Sequence, residues 1–159
     1  VALDAIQGEA TMAVVLIADD DLDIRETLAL FLGMEGHQVR MAADGQEMLD
    51  LLRSSPAPLV VLADQFMPHV SARYLVEALY AAPPELTRHA FVFVTGAPHA
   101  LPPMPVEACP ATFFAVVPKP FDLDELGEML ARANTHLDES SALLARANTH
   151  LDGSMLPDG

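Results

Sequence analysis

Cysteine is nearly absent from this chain. Cys109 stands alone, so no internal disulfide can form, and a reducing compartment is expected. A small loop residue, rather than a reactive thiol, is its expected role. Basic residues are scarce as well, 8 against 23 acidic ones, for a formal charge of −15. A surface of that sign repels phosphate backbones and anionic lipid, which argues against direct nucleic-acid binding and against membrane association. Long apolar runs are missing too: none reaches the roughly 18 residues of a membrane-spanning helix. Residues 1–12 have neither the basic start nor the apolar stretch of a secretory leader. The chain is therefore expected to be cytoplasmic. It begins at Val1 rather than Met, as a fragment, a processed product or a tagged protein would, and Met12 is a candidate natural start.

What is present is enough apolar material for one domain, 52% of 159 residues. Apolar runs at 13–18 (AVVLIA), 59–63 (LVVLA), 90–95 (AFVFVT) and 112–117 (TFFAVV) read as strands buried on both faces of a parallel sheet. A shorter strand is expected over 38–42. Helix-period segments alternate with them. The first runs to about Gly36 with Ile24, Leu28, Phe31 and Leu32 on one face, Asp23 and Glu26 at capping-box spacing, and Gly33 and Gly36 suited to its end. A second starts at Asp44 and Glu47, points Met48, Leu51 and Leu52 inward, and ends before Pro56. A third covers 70–81 and stops at Pro83–Pro84, and a last one begins at Asp122. Five strands alternating with helices predict a doubly wound α/β fold, whose ligands bind beyond the carboxyl ends of the strands.

Those ends carry the chemistry. The first strand finishes in Asp19 and Asp20, the third in Asp64, the fourth in Thr95, and Lys119 follows the fifth. Each has an ordinary use alone: an aspartate as a helix cap, a threonine as a β-branched strand residue, a lysine in solvent. Jointly they place three carboxylates, a hydroxyl and an ammonium on one edge of the sheet. Two carboxylates about 5 Å apart repel by roughly 3 kcal/mol at an effective dielectric near 20. Such a cluster calls for a cation, and oxygen-only ligands shared with a phosphate suit Mg²⁺. Lysine and threonine suit phosphoryl oxygens, so the pocket fits phosphoryl transfer to a carboxylate.

VVLIADD at 14–20, VLADQFMP at 61–68, VFVTG at 92–96 and PKPF at 118–121 together resemble the receiver domains of bacterial two-component response regulators. The resemblance runs over residues 13–133, between an N-terminal extension or tag at 1–12 and a C-terminal helical extension at 134–159. It implies a flavodoxin-like five-stranded sheet of order 2-1-3-4-5. It implies Asp64 as phosphoacceptor, Asp20 and Asp64 as direct Mg²⁺ ligands, Asp19 acting through a metal-bound water, and the backbone carbonyl of Phe66 completing the set. Thr95 would hydrogen-bond the phosphoryl group, Lys119 would pair with it, and the Lys119–Pro120 bond would be cis. Phe66, Gly96 and Ala97 would tune access to the phosphoryl group, with Gly96 leaving the donor room. The implied donor is a histidine kinase or a histidine phosphotransfer protein, and the output partner is unspecified.

Several residues depart from the family's pattern. Phe66 is large and apolar where many relatives are polar, which predicts slow loss of the phosphoryl group. Prolines at 98, 102, 103, 105 and 110 leave no room for a regular fourth helix after the fourth strand. Val116 replaces the aromatic that usually couples to the switch threonine, here Thr95, so the coupling weakens or runs through another residue such as Phe114. Ala72 stands where relatives have glycine, with only local adjustment expected. The tail repeats LARANTHLD at 130–138 and 144–152, which spaces Leu123, Leu130, Leu137, Leu144 and Leu151 by sevens. An extended last helix, or a pair broken near 138–141, is expected. A homodimer through this tail is conceivable, but the companion positions are too small or polar for a strong seam.

Three functions compete. The leading one is a phosphorylatable switch that catalyses only its own phosphorylation and slow autodephosphorylation. The second is a pseudo-receiver that binds partners without phosphorylation. The third, a Mg²⁺-dependent phosphatase, lacks a second catalytic acid beside Asp64 and a cap domain.

Overall fold

The computed structural model describes residues 12–152. Strands β1 (Val14–Ala18), β2 (Gln38–Ala42), β3 (Val60–Asp64), β4 (Ala90–Thr95) and β5 (Phe114–Pro118) form one parallel sheet in the order β2-β1-β3-β4-β5. β3 and β4 are buried along their whole length, whereas the edge strand β2 is mostly exposed, Met41 included, and buries only Ala42. Successive side chains enter opposite cores, as the strand period of two requires. Val15 and Ile17 join α1 (Leu22–Met34) and α5 (Leu123–Asp152) through Leu28, Leu32, Leu126 and Leu130. Leu16 and Ala18 join α2 (Gly45–Ser54) and α3 (Ala72–Leu79) on the other face, with Met48, Leu52, Leu75 and Leu79.

Local chemistry sets the helix ends. Asp21 caps α1, its carboxylate accepting from the Asp23 and Ile24 amides. The expected Asp23–Glu26 box therefore does not form, and Asp23 lies inside the first turn. At the other end Gly36 takes φ +91, and the Gly36 and His37 amides close onto Gly33 and Leu32 in a Schellman arrangement. Asp44 caps α2 by accepting from the Glu47 amide, while Glu47 reaches back to the Ala43 amide. Gly45 is dictated by close approach: a Cβ there would fall 1.6 Å from the Val70 carbonyl oxygen.

α3 is shorter than the expected 70–81, because Ser71 caps it and Ala82, at φ +49, ends it. One further helical turn, α4 (Pro84–Thr87), follows with Pro84 in its first turn; the double proline reads in sequence as a stop only. β5 begins two residues later than the apolar run, since Thr112 is occupied in donating to the Thr87 carbonyl.

No α-helix separates β4 from β5; the segment makes one 3₁₀ turn at Pro98–Ala100 and continues as irregular backbone. It still covers the sheet. Leu101 and Cys109 are buried in the same core as Phe91 and Phe93, so Cys109 is a small loop residue, as expected, that also packs in the core. The Cys109 thiol donates to the Leu79 carbonyl and the Tyr80 hydroxyl to that of Pro103. Of the two forms expected for the tail, α5 takes the extended one, running unbroken through 138–141 for about 45 Å at 1.5 Å per residue. Leu126, Leu130 and Ala133 are fully buried under it, but every described side chain from Ser141 to His150 is exposed. Residues 1–11 and 153–159, where the N-terminal extension and the end of the tail are expected, lie outside the described residues.

Candidate functional site

Parallel register brings the strand ends to one edge. Ala18 pairs with Ala63, Asp64 with Val94 and Thr95 with Pro118, so the residues that follow each strand share one rim. Asp19, Asp20 and Asp64 each offer a carboxylate oxygen, and these atoms all lie within 4.8 Å of one another. Asp19 and Asp64 are buried while Asp20 is exposed. Lys119 Nζ donates to Asp64 Oδ1 at 2.9 Å. The Lys119–Pro120 peptide bond is cis.

Backbone contacts hold these groups in place. The Asp19 amide donates to the Ala42 carbonyl, and its own carbonyl accepts from Arg25 Nη1 at 2.6 Å. Asp19 Oδ1 accepts from the Asp21 amide at 2.9 Å. Burial pushes the Asp19 carboxyl above its ordinary range, and the nearby Asp64 and Asp20 charges push the same way. The Asp21 amide and the Lys119 ammonium pull against that rise without cancelling it. Three carboxylates and one ammonium leave a surplus of negative charge, and the donors are all oxygen, so the set fits a hard divalent cation.

The remaining expected residues are placed less uniformly. Thr95 is fully buried and its hydroxyl donates to Gln65 Oε1 while accepting from the Ala97 amide. That hydroxyl is committed to the Gln65 side chain rather than to Asp64. The Phe66 side chain is 64% exposed at the rim. A Cβ on Gly96 would meet no atom within 4 Å, so this side of the rim is open. Val116 is half-buried beside the core that holds Phe91 and Phe93, and Phe114 stacks on Phe91 with ring centroids 5.9 Å apart. A pocket of about 770 Å³ adjoins the carboxylates and runs between α1 and the start of α5, past Ile24, Leu28 and Phe121.

Sequence reasoning missed Gln65 and Arg25. A polar residue directly after a buried strand usually opens a solvated loop, and an arginine in a first helical turn usually faces water. Neither carried a signal of its own.

The response regulator receiver domain family matches residues 15–131. The chain belongs to this family. The receiver domain is similar to the response regulator MprA of Mycolicibacterium vanbaalenii, 33% identical over 112 residues, covering 70% of this chain and 46% of that protein. It is similar to the regulatory protein AtoC of Escherichia coli K12, 33% identical over 119 residues, covering 75% of this chain and 24% of that protein. The chain thus spans less than half the length of these curated relatives. In fold it resembles the CheY-like receiver domain protein from Methanospirillum hungatei JF-1, with a TM-score of 0.62 at 24% identity, covering 79% of this chain and 97% of that one. Receiver domains are signalling modules rather than enzymes acting on a separate substrate. The described residues of this one include no helix long and apolar enough to cross a membrane.

Proposed function

We propose that this receiver domain takes a phosphoryl group onto Asp64 from a phosphohistidine, supplied by a histidine kinase or a histidine phosphotransfer protein. The observation that carries the reading is the Lys119 ammonium 2.9 Å from Asp64 within a cluster of three carboxylates. An Asp64 oxygen attacks phosphorus, the P–N bond breaks, its electron pair returns to the imidazole nitrogen, and an aspartyl phosphate remains. Lys119 holds one phosphoryl oxygen and Thr95 donates to another. Asp20, Asp64 and the Phe66 carbonyl would hold Mg²⁺, with Asp19 reaching it through water. When bound, the ion neutralises the carboxylates and the charge on the phosphoryl oxygens.

The domain occupies residues 13–133 in this reading and acts in the cytoplasm on an output partner, without touching nucleic acid itself. Residues 134–159 form an extension that can bring two copies together. The chain catalyses its own phosphorylation and a slow autodephosphorylation. A second reading, a pseudo-receiver that binds partners without phosphorylation, draws on Val116 and on the Thr95 hydroxyl being engaged elsewhere.

Beryllofluoride, which mimics a phosphoryl group on a carboxylate, separates the two when titrated with and without Mg²⁺ and followed by amide NMR. Mg²⁺-dependent shifts around Asp64, Thr95 and Lys119, absent in Asp64→Asn, are expected. A silent wild type overturns phosphorylation and leaves the pseudo-receiver.

A further inference from the structure

Gln65 places an uncharged amide in a buried position beside the carboxylate cluster. It follows Asp64 directly, its backbone extends the ladder by donating to the Val94 carbonyl at 3.1 Å, and its side chain is turned in and buried. A buried amide must find partners. This one accepts the Thr95 hydroxyl, which is itself fully buried and also receives the Ala97 amide at 2.9 Å. The Thr95 proton therefore has one recipient, and it is not the acceptor carboxylate. The Gln65 carbonyl, in turn, accepts from the amide of Ala72, the first residue of α3. At Val116 the neighbouring strand offers only a small branched side chain with no hydrogen-bonding group and no ring to swing.

We propose that Gln65 is a positioning residue acting through Thr95: it holds the threonine hydroxyl away from Asp64 in the resting protein and releases it when a phosphoryl group arrives. The proposal rests on Asp64 being the phosphoacceptor. A phosphoryl oxygen is a charged acceptor and wins the hydroxyl from a neutral amide oxygen, because charge-assisted hydrogen bonds are roughly twice as strong. Losing Thr95 leaves the buried Gln65 amide oxygen unpaired, so Gln65 must turn. Its backbone is bonded to the start of α3, so the rearrangement is felt in the β3–α3 connection rather than at Val116. The latch opposes activation and sets a threshold for it.

The test is a double-mutant cycle read as beryllofluoride affinity at saturating Mg²⁺. Gln65→Met keeps the length and loses the acceptor. It should bind beryllofluoride about fivefold more tightly than wild type, the worth of one neutral hydrogen bond removed from the resting state. In the Thr95→Val background, which lacks the hydroxyl, the same substitution should change affinity less than about twofold. A merely structural glutamine would give weaker binding, or an equal effect in both backgrounds, and either result overturns the proposal. The Gln65 side-chain amide pair supplies a second readout that needs no change at Gln65. Its NMR signals should move on beryllofluoride addition in wild type and stay still in Thr95→Val; signals that move equally in both overturn the latch. Wild type responding while the cycle shows no coupling removes Gln65 alone. Wild type failing to respond removes the phosphoacceptor reading and the latch with it.

Discussion

Lys119 and Asp64 stand 55 residues apart in sequence and 2.9 Å apart in space, the ammonium donating to a carboxylate that is only 10% exposed. Among the described residues, this is the ion pair that offsets the charge of the three-carboxylate cluster. Lys119→Met should destabilise the metal-free protein by about 1–2 kcal/mol, the lower part of the range for a hydrogen bond to a charged group because Lys119 is one-third exposed. Urea unfolding with and without Mg²⁺ measures it. Added Mg²⁺ should restore part of the loss, and an unchanged midpoint without metal would show that the pair contributes nothing.

Removing a carboxylate should act in the opposite direction. Asp20→Asn relieves repulsion within the cluster and should stabilise the metal-free protein by up to about 1 kcal/mol, screened because Asp20 is exposed. The same variant should lose the stabilisation that Mg²⁺ gives wild type. A variant that still gains as much from Mg²⁺ would take Asp20 out of the ligand set.

His89 gives the fold a pH dependence. It is fully buried, its Nδ1 accepts from the Leu59 amide and its Nε2 donates to the Leu52 carbonyl, an arrangement open only to the neutral ring. Burial pushes its pKa below the usual 6.5, so the unfolded chain binds a proton before the folded one does. Its contribution to stability is complete above about pH 6.5 and is lost as pH falls from there through the depressed folded value. His89→Gln should be less stable at pH 8 yet lose less on acidification. Urea midpoints at several pH values test this, and identical slopes for the two proteins would sink it.

Gly45 should tolerate no side chain. A Cβ 1.6 Å from the Val70 carbonyl oxygen forces backbone to move, so Gly45→Ala should cost about 3 kcal/mol. Thermal unfolding checks it. A loss under 1 kcal/mol would mean that the β3–α3 connection shifts freely, and with it the carboxylate rim.

Phe66 should prolong the phosphorylated state. Its ring stands exposed at the rim, where, if Asp64 is the phosphoacceptor as proposed, water would approach the acyl phosphate. Phe66→Asn should shorten the phosphoryl half-life by about tenfold, equivalent to roughly 1.4 kcal/mol in the barrier. A wild-type half-life of seconds, or no difference between the two proteins, counts against it.

Most of the framework was legible because parallel strands buried on both faces appear as unbroken apolar runs, and β4 occupies the residues so expected. The strand-end aspartates were legible for a related reason: each marks the point where an apolar run stops. Finer choices depended on geometry. Four aspartates crowd residues 19–23, and only the path of the chain out of β1 decides that Asp21, not Asp23, caps α1. The Gln65–Thr95 contact was invisible for the same kind of reason. It follows from the β3–β4 register, which sets Asp64 opposite Val94 and so brings the next residue of each strand together. The absent helix after β4 could be read from its prolines, but not the burial of Leu101 and Cys109, since irregular backbone has no period to reveal which side faces inward.

The last helix is seated for half its length and free for the rest. Its 30 residues are clamped to the sheet through Leu126, Leu130 and Ala133, while the side chains from Ser141 to His150 touch solvent. Such a rod is a lever whose fulcrum lies on the domain. About 18 Å of overhang turns a 10° tilt at the seat into about 3 Å of travel at the tip. A rearrangement around β4 and β5 too slight to alter the domain's outline would thereby be amplified at a distance from where it began.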